Sequence, residues 1–117
     1  MPSAITFQSL SGSNEFKYVL SGKKINSSLF TIFYNLKEIS DTKNSIQLSC
    51  VAAKKLGNAV KRNRMRRRLK MATRKAILEN KNHFKKKFKY AIFAKSKIYD
   101  ETFQIIVDEI IKKLKLI

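Results

Sequence analysis

No acidic residue occurs from Thr42 to Leu78, and all six arginines of the chain fall inside that stretch, between Arg62 and Arg74. Within it, Met65, Leu69, Ala72 and Ala76 stack at spacings of four, three and four residues, the period of a helix. So narrow an apolar stripe can pack on the domain along one side of the helix. Lys61, Arg64, Arg68 and Lys75 form a row beside the stripe, and Arg67 and Arg74, one heptad apart, lie further round the exposed surface. Like charges four residues apart repel, at about 0.2–0.5 kcal/mol per pair. No neighbouring acid offsets them, so a bound phosphate backbone would relieve the cost. A solvated face usually mixes signs, and this one does not.

The rest of the chain shares the bias. Lys and Arg number 26 against 8 Asp and Glu, a formal net charge of +18 over 117 residues. Such a charge destabilises the compact state unless a polyanion binds. Hydrophobic residues make up 44%, which favours folding over disorder. The length suits one domain spanning 1–117. No apolar run reaches the roughly 20 residues that span a bilayer, and the start lacks the pattern of a secretory signal. One cysteine, Cys50, cannot form an internal disulfide, and we expect a cytoplasmic protein. With one Cys and one His, no metal site on the protein itself is expected.

The elements read α, β, β, α, β, α. A short first helix is capped by Ser13, presents Phe16, Val19 and Leu20, and ends at Gly22. Residues 29–35 form a strand with Phe30, Ile32 and Tyr34 on one face and Leu29, Thr31 and Phe33 on the other. Residues 37–45 read as a loop. A second strand covers 46–53, with Ile46, Leu48, Cys50 and Ala52 on one side. The basic helix runs from about Asn58 to Glu79, residues 81–89 connect, and 89–95 form a third strand. The last helix, about Glu101 to Leu116, carries Phe103, Ile106, Val107, Ile110, Ile111 and Leu114 on one face and packs on the sheet. This pattern defines an α+β (α/β) sandwich.

Catalytic side chains are not evident. The lone His83 sits in a lysine-rich connection, and the acids form no cluster that would hold two metals. Gly57 has two readings, an unusual backbone angle at the turn into the helix or close approach of RNA.

The run Lys55-Leu56-Gly57-Asn58-Ala59-Val60-Lys61-Arg62-Asn63-Arg64, followed by Arg66 and Arg67, closely resembles the signature of the bacterial ribonuclease P protein family. Glu15-Phe16 in a first helix, Tyr34 ending a strand, and Tyr90-Ala91-Ile92-Phe93-Ala94 as a later strand fall in the family's order. The resemblance implies a two-layer sandwich, a small mixed sheet with packed helices and an unusual left-handed β-α-β crossover through the basic helix. It also implies an RNA-binding subunit of an endoribonuclease that removes the 5′ leader from precursor tRNA. Catalysis would belong to the RNA subunit and its Mg2+, with no catalytic residue and no cofactor on the protein.

Carried over by position, Lys54, Lys55, Asn58, Lys61, Arg64, Arg66, Arg67 and Arg68 would bind the catalytic RNA. Phe16, Tyr34, Arg62 and Asn63 would hold the leader in a cleft between the first helix and the sheet. Stacking of a single-stranded base on an aromatic face contributes about 1–3 kcal/mol. Tyr34 suits that role through its hydroxyl, and Phe16 suits either it or the core. Leu20, Gln47, Ser49, Ala53 and Lys95-Ser96 depart from the family's commonest residues. Two other classes stay open: a structural RNA-binding module, such as a small ribosomal protein, and a basic protein for DNA or membrane surfaces.

Overall fold

The computed structural model describes residues 6–38, 45–81 and 84–117. In chain order these form β1 (Phe7–Gln8), α1 (Gly12–Leu20), β2 (Lys23–Asn26), β3 (Phe30–Leu36), β4 (Ile46–Val51), α2 (Ala59–Glu79), β5 (Phe88–Ala94) and α3 (Phe103–Leu114). Short 3-10 turns occupy Lys54–Leu56 and Ser96–Tyr99. The strands make one mixed sheet in the order β1-β4-β5-β3-β2. β1–β4 and β4–β5 pair parallel, and β5–β3 and β3–β2 pair antiparallel. Helix α2 is thus the crossover between two adjacent parallel strands.

The main core lies on one sheet face, where Phe30, Ile32, Tyr90 and Ile92 meet Met65, Leu69, Ala72, Ala76 and Ile77 of α2 and Ile106, Val107 and Ile110 of α3. The apolar stripe expected on the basic helix is fully covered. Burying one such aliphatic side chain contributes about 1.5–3 kcal/mol. On the opposite face, Val19 of α1 packs with Leu10 and Ala91, flanked by Phe16, Phe33 and Phe93. Ala91 and Ile92 are neighbours in one strand, so they point to opposite faces. The α+β class and mixed sheet are as the resemblance implied, and α1 adds cover to the second face.

Several boundaries differ from expectation. Ser11, not Ser13, precedes α1, and its hydroxyl donates to Glu15 Oε2 at 2.9 Å. Helix α3 starts at Phe103, because Glu101 lies before it and its Oε1 accepts from the Thr102 amide at 3.0 Å. Strand β4 ends at Val51, where the chain turns out of the sheet towards Lys54. Two strands lacked a sequence signal. β1 has two residues, and Lys23-Lys24-Ile25-Asn26 of β2 has no apolar alternation.

Two glycines are required by geometry. A Cβ on Gly22 would lie 2.3 Å from the Tyr34 carbonyl oxygen, so only glycine lets the chain pass this close to β3. Gly57 has φ +140°, which L side chains rarely adopt, just before α2. Asn58 then caps α2, its Oδ1 accepting from the Lys61 amide at 2.9 Å.

Candidate nucleic-acid interface

Helix α2 presents two basic flanks with different surroundings. On the first, Arg64 donates through Nε to the Tyr99 carbonyl at 3.1 Å, and its guanidinium lies 5.1 Å from the Tyr99 ring centre. Lys61 reaches the same ring at 5.9 Å. Arg68 donates through Nε to the Ile98 carbonyl at 3.0 Å and through Nη2 to the Glu101 carbonyl. Lys75 contacts the Phe103 ring and Gln104 Oε1. The row Lys61, Arg64, Arg68, Lys75 therefore lines the seam of α2 with the β5–α3 connection and the first turn of α3. The cations supply donors for carbonyls that a short turn leaves without backbone partners.

The second flank borders an open groove of about 470 Å³ along the outer edge of β4. Asn63, Arg66, Arg67, Lys70 and Arg74 form its helical wall, with Phe7, Gln8, Ser9 and residues 48–50 opposite. No acid lines it. Arg66 donates through Nη2 to Asn63 Oδ1, and the Arg74 guanidinium lies 5.0 Å from the centre of the Phe7 ring. Cys50 also borders the groove. Burial pushes its thiol up from an ordinary 9.0 to about 12, against smaller opposing effects of Thr73, Lys70 and Arg74. The thiol thus stays protonated at neutral pH and offers no nucleophile.

A third surface is the sheet face under α1. Phe33 and Phe93 meet edge to face at 5.5 Å beside Phe16, and all three remain half-buried. Helix α1 is fixed over them by Tyr18, whose hydroxyl donates to the Leu36 carbonyl at 2.6 Å, and by Asn35, whose Nδ2 donates to the Tyr18 carbonyl at 2.9 Å. Glu15 faces Lys89 at 3.6 Å.

The structure separates residues that were expected together at the leader. Tyr34 is not beside Phe16. It lies on the opposite face, 9% exposed, against Phe88 at 5.1 Å and Tyr90 at 6.4 Å. Strand alternation gives the reason: Phe33, one residue earlier, takes the α1 side. Asn63 borders the β4-edge groove on the α2 side. Arg62 is half-buried at the start of α2, and its Nε has no hydrogen-bond partner among the described residues. Lys54 and Lys55 are exposed on the turn ahead of α2, with Asn58 at the cap.

Sequence reasoning did not single out Phe93, Phe7 or Lys70 for a site, and it placed Arg74 only on the exposed basic surface of the helix. Phe33 was legible as the face opposite Tyr34, but which face α1 covers is a tertiary fact. His83 lies outside the described residues. Among those described, no group of three or more His, Cys, Asp or Glu residues is placed to hold a metal ion. No described helix is long and apolar enough to cross a membrane.

A mixed sheet crossed by an arginine-rich helix, with cationic side chains along one sheet edge, defines a small basic α+β protein. The ribonuclease P family profile matches residues 6–117, and the chain belongs to the ribonuclease P protein family. It is 31% identical over 108 residues to the ribonuclease P protein component of Carboxydothermus hydrogenoformans, covering 92% of this chain and 88% of that one. Its fold is similar to the RNase P protein of Staphylococcus aureus, with a TM-score of 0.71, 22% identity and coverage of 92% and 93% of the two chains. The RNase P protein of Thermotoga maritima is also similar, with a TM-score of 0.64, 21% identity and coverage of 87% and 89%.

Proposed function

We propose that this chain binds the catalytic RNA of ribonuclease P through α2 and the turn before it, and holds the single-stranded 5′ leader of precursor tRNA on the sheet face under α1. One observation carries this reading: the arginine-rich helix of a ribonuclease P family protein borders an acid-free groove. Lys54, Lys55, Asn58, Lys61, Arg64, Arg66, Arg67 and Arg68 would face the RNA subunit. Arg66 and Arg67 carry most of the direct phosphate contact, since Arg64 and Arg68 are partly engaged by the 98–101 carbonyls. The buried, unpaired Nε–H of Arg62 is a donor that a phosphate oxygen would satisfy. For the leader, Phe16, Phe33 and Phe93 offer half-open rings on which unpaired bases stack.

The protein's part is positioning and charge neutralisation. Guanidinium forks grip phosphate in two places, which offsets repulsion between two RNAs brought together. Phosphodiester hydrolysis would belong to the RNA subunit and the Mg2+ it carries, with the protein in the cytoplasm where tRNA matures.

The test is cleavage of precursor tRNA by a bacterial ribonuclease P RNA at low magnesium and near-physiological salt, with and without this protein. Restored release of the leader, with no cleavage by the protein alone, is the expected result. No stimulation of a cognate RNA would overturn the reading.

A further inference from the structure

β1 pairs with β4 only at Ile46 and Gln47, so among the described residues the outer edge of 48–51 has no strand partner. That bare edge forms one wall of the groove beside α2. The opening of about 470 Å³ falls within the roughly 300–1,000 Å³ typical of small-ligand sites. Two kinds of group line it. Arg66, Arg67 and Lys70 bring cations with no acid in the lining. Arg74 also lines the groove, and its guanidinium lies 5.0 Å from the centre of the Phe7 ring, within cation–π reach. A guanidinium beside an aromatic ring is a surface on which a base stacks. Asn63 gives its Oδ1 to Arg66, which leaves its amide nitrogen as a donor for a base edge.

We propose that this groove holds one unpaired ribonucleotide, its phosphate at Arg66, Arg67 and Lys70 and its base against the Arg74–Phe7 pair. The proposal rests on the RNA-binding reading above and deepens it. Phe7, Lys70 and Arg74 lie outside the sequence signature and extend the RNA surface along α2 to the sheet edge. A single nucleotide fits better than a duplex, because one aromatic–guanidinium pair, Phe7 with Arg74, offers a stacking surface in the groove.

The experiment is an NMR titration of the full chain with adenosine 5′-monophosphate, inorganic phosphate and adenosine in parallel. The nucleotide should shift the amides of Phe7, Ser49, Lys70 and Arg74 at about tenfold lower concentration than phosphate, the gain expected of one stacked base. Arg74→Lys, at an exposed helix position, keeps the charge and should bring the nucleotide down to the level of phosphate. Phe7→Leu, which retains an apolar residue in β1, should do the same. Equal affinity for nucleotide and phosphate in the unaltered chain, or shifts confined to other surfaces, would overturn the proposal. So would an equal loss of both ligands in Arg74→Lys. The cleavage assay is separate. Nucleotide binding without stimulation of cleavage would sink the ribonuclease P reading alone, and stimulation without nucleotide binding would sink the groove alone.

Discussion

Phe33 and Tyr34 are adjacent, aromatic and similar in size, yet they lie on opposite faces of the sheet. Phe33 sits with Phe93 under α1, and Tyr34 stacks in the main core. Phe33→Ala should weaken binding of precursor tRNA by about 1–3 kcal/mol and leave mature tRNA binding unchanged. Tyr34→Ala should instead lower thermal stability by several kcal/mol, as truncation of a core aromatic does, and affect both tRNAs alike. Filter binding with the two substrates, beside thermal denaturation, distinguishes these outcomes. Cys50 makes a second residue-scale case. Its folded-state value of about 12 lies above the ordinary 9.0, so between these the folded chain keeps a proton that the unfolded chain releases. That contribution to stability is intact below pH 9 and is lost as pH rises towards 12. Burial pushes Tyr90 in the same direction. Denaturant titrations should show stability falling across this alkaline window, and Cys50→Ala should flatten part of the fall. An unchanged slope in that variant would remove Cys50 as a cause.

At the scale of the element, α2 divides its cations between structure and binding. Arg64 and Arg68 tie the helix to residues 98–101, whereas Arg66 and Arg67 border the groove. Replacing Arg66 and Arg67 together with Ala should reduce the salt dependence of RNA binding by nearly two units of log–log slope with little change in melting temperature. Replacing Arg68 with Ala should lower the melting temperature, because it leaves the partly buried Ile98 and Glu101 carbonyls without that donor. The helix start is similarly specified. Asn58→Ala removes the cap to the Lys61 amide and should cost about 0.5–2 kcal/mol, while Asn58→Asp should retain the cap. Chemical denaturation checks both.

For the molecule as a whole, the net charge of +18 sets the behaviour of the free chain. Acids in α3 and the turn before it, Glu101, Asp108 and Glu109, line a separate depression with Lys97 and Lys112. The acid-free surface lies along α2 at the β4 edge. A polyanion binding only the folded state adds stability by mass action. Pyrophosphate should therefore raise the melting temperature more than chloride at equal ionic strength. Equal effects of the two would show that screening alone relieves the repulsion.

The sequence by itself determined the elements whose signal is local. The 3.6-residue stripe of α3, the stripe of α2 and the alternation in β3 follow from propensity and periodicity, which a chain carries along its length. The order of elements supplied the α+β class, and resemblance supplied the family and the mixed sheet. What only the tertiary structure decided was which surfaces face each other. Alternation sorts Phe33 from Tyr34 but does not say which side α1 covers. That choice depends on burying Val19 against Ala91, which lies 72 positions later. Helical spacing puts Arg64 and Arg68 in a row but does not reveal the carbonyls of the 98–101 turn that engage them. The β4-edge groove joins a two-residue strand near the start of the chain to the middle of a helix, and a strand so short has no period to read. Contacts between distant segments form because the folded chain gains from burial and paired hydrogen bonds, and that gain is a property of the assembled core rather than of any one segment.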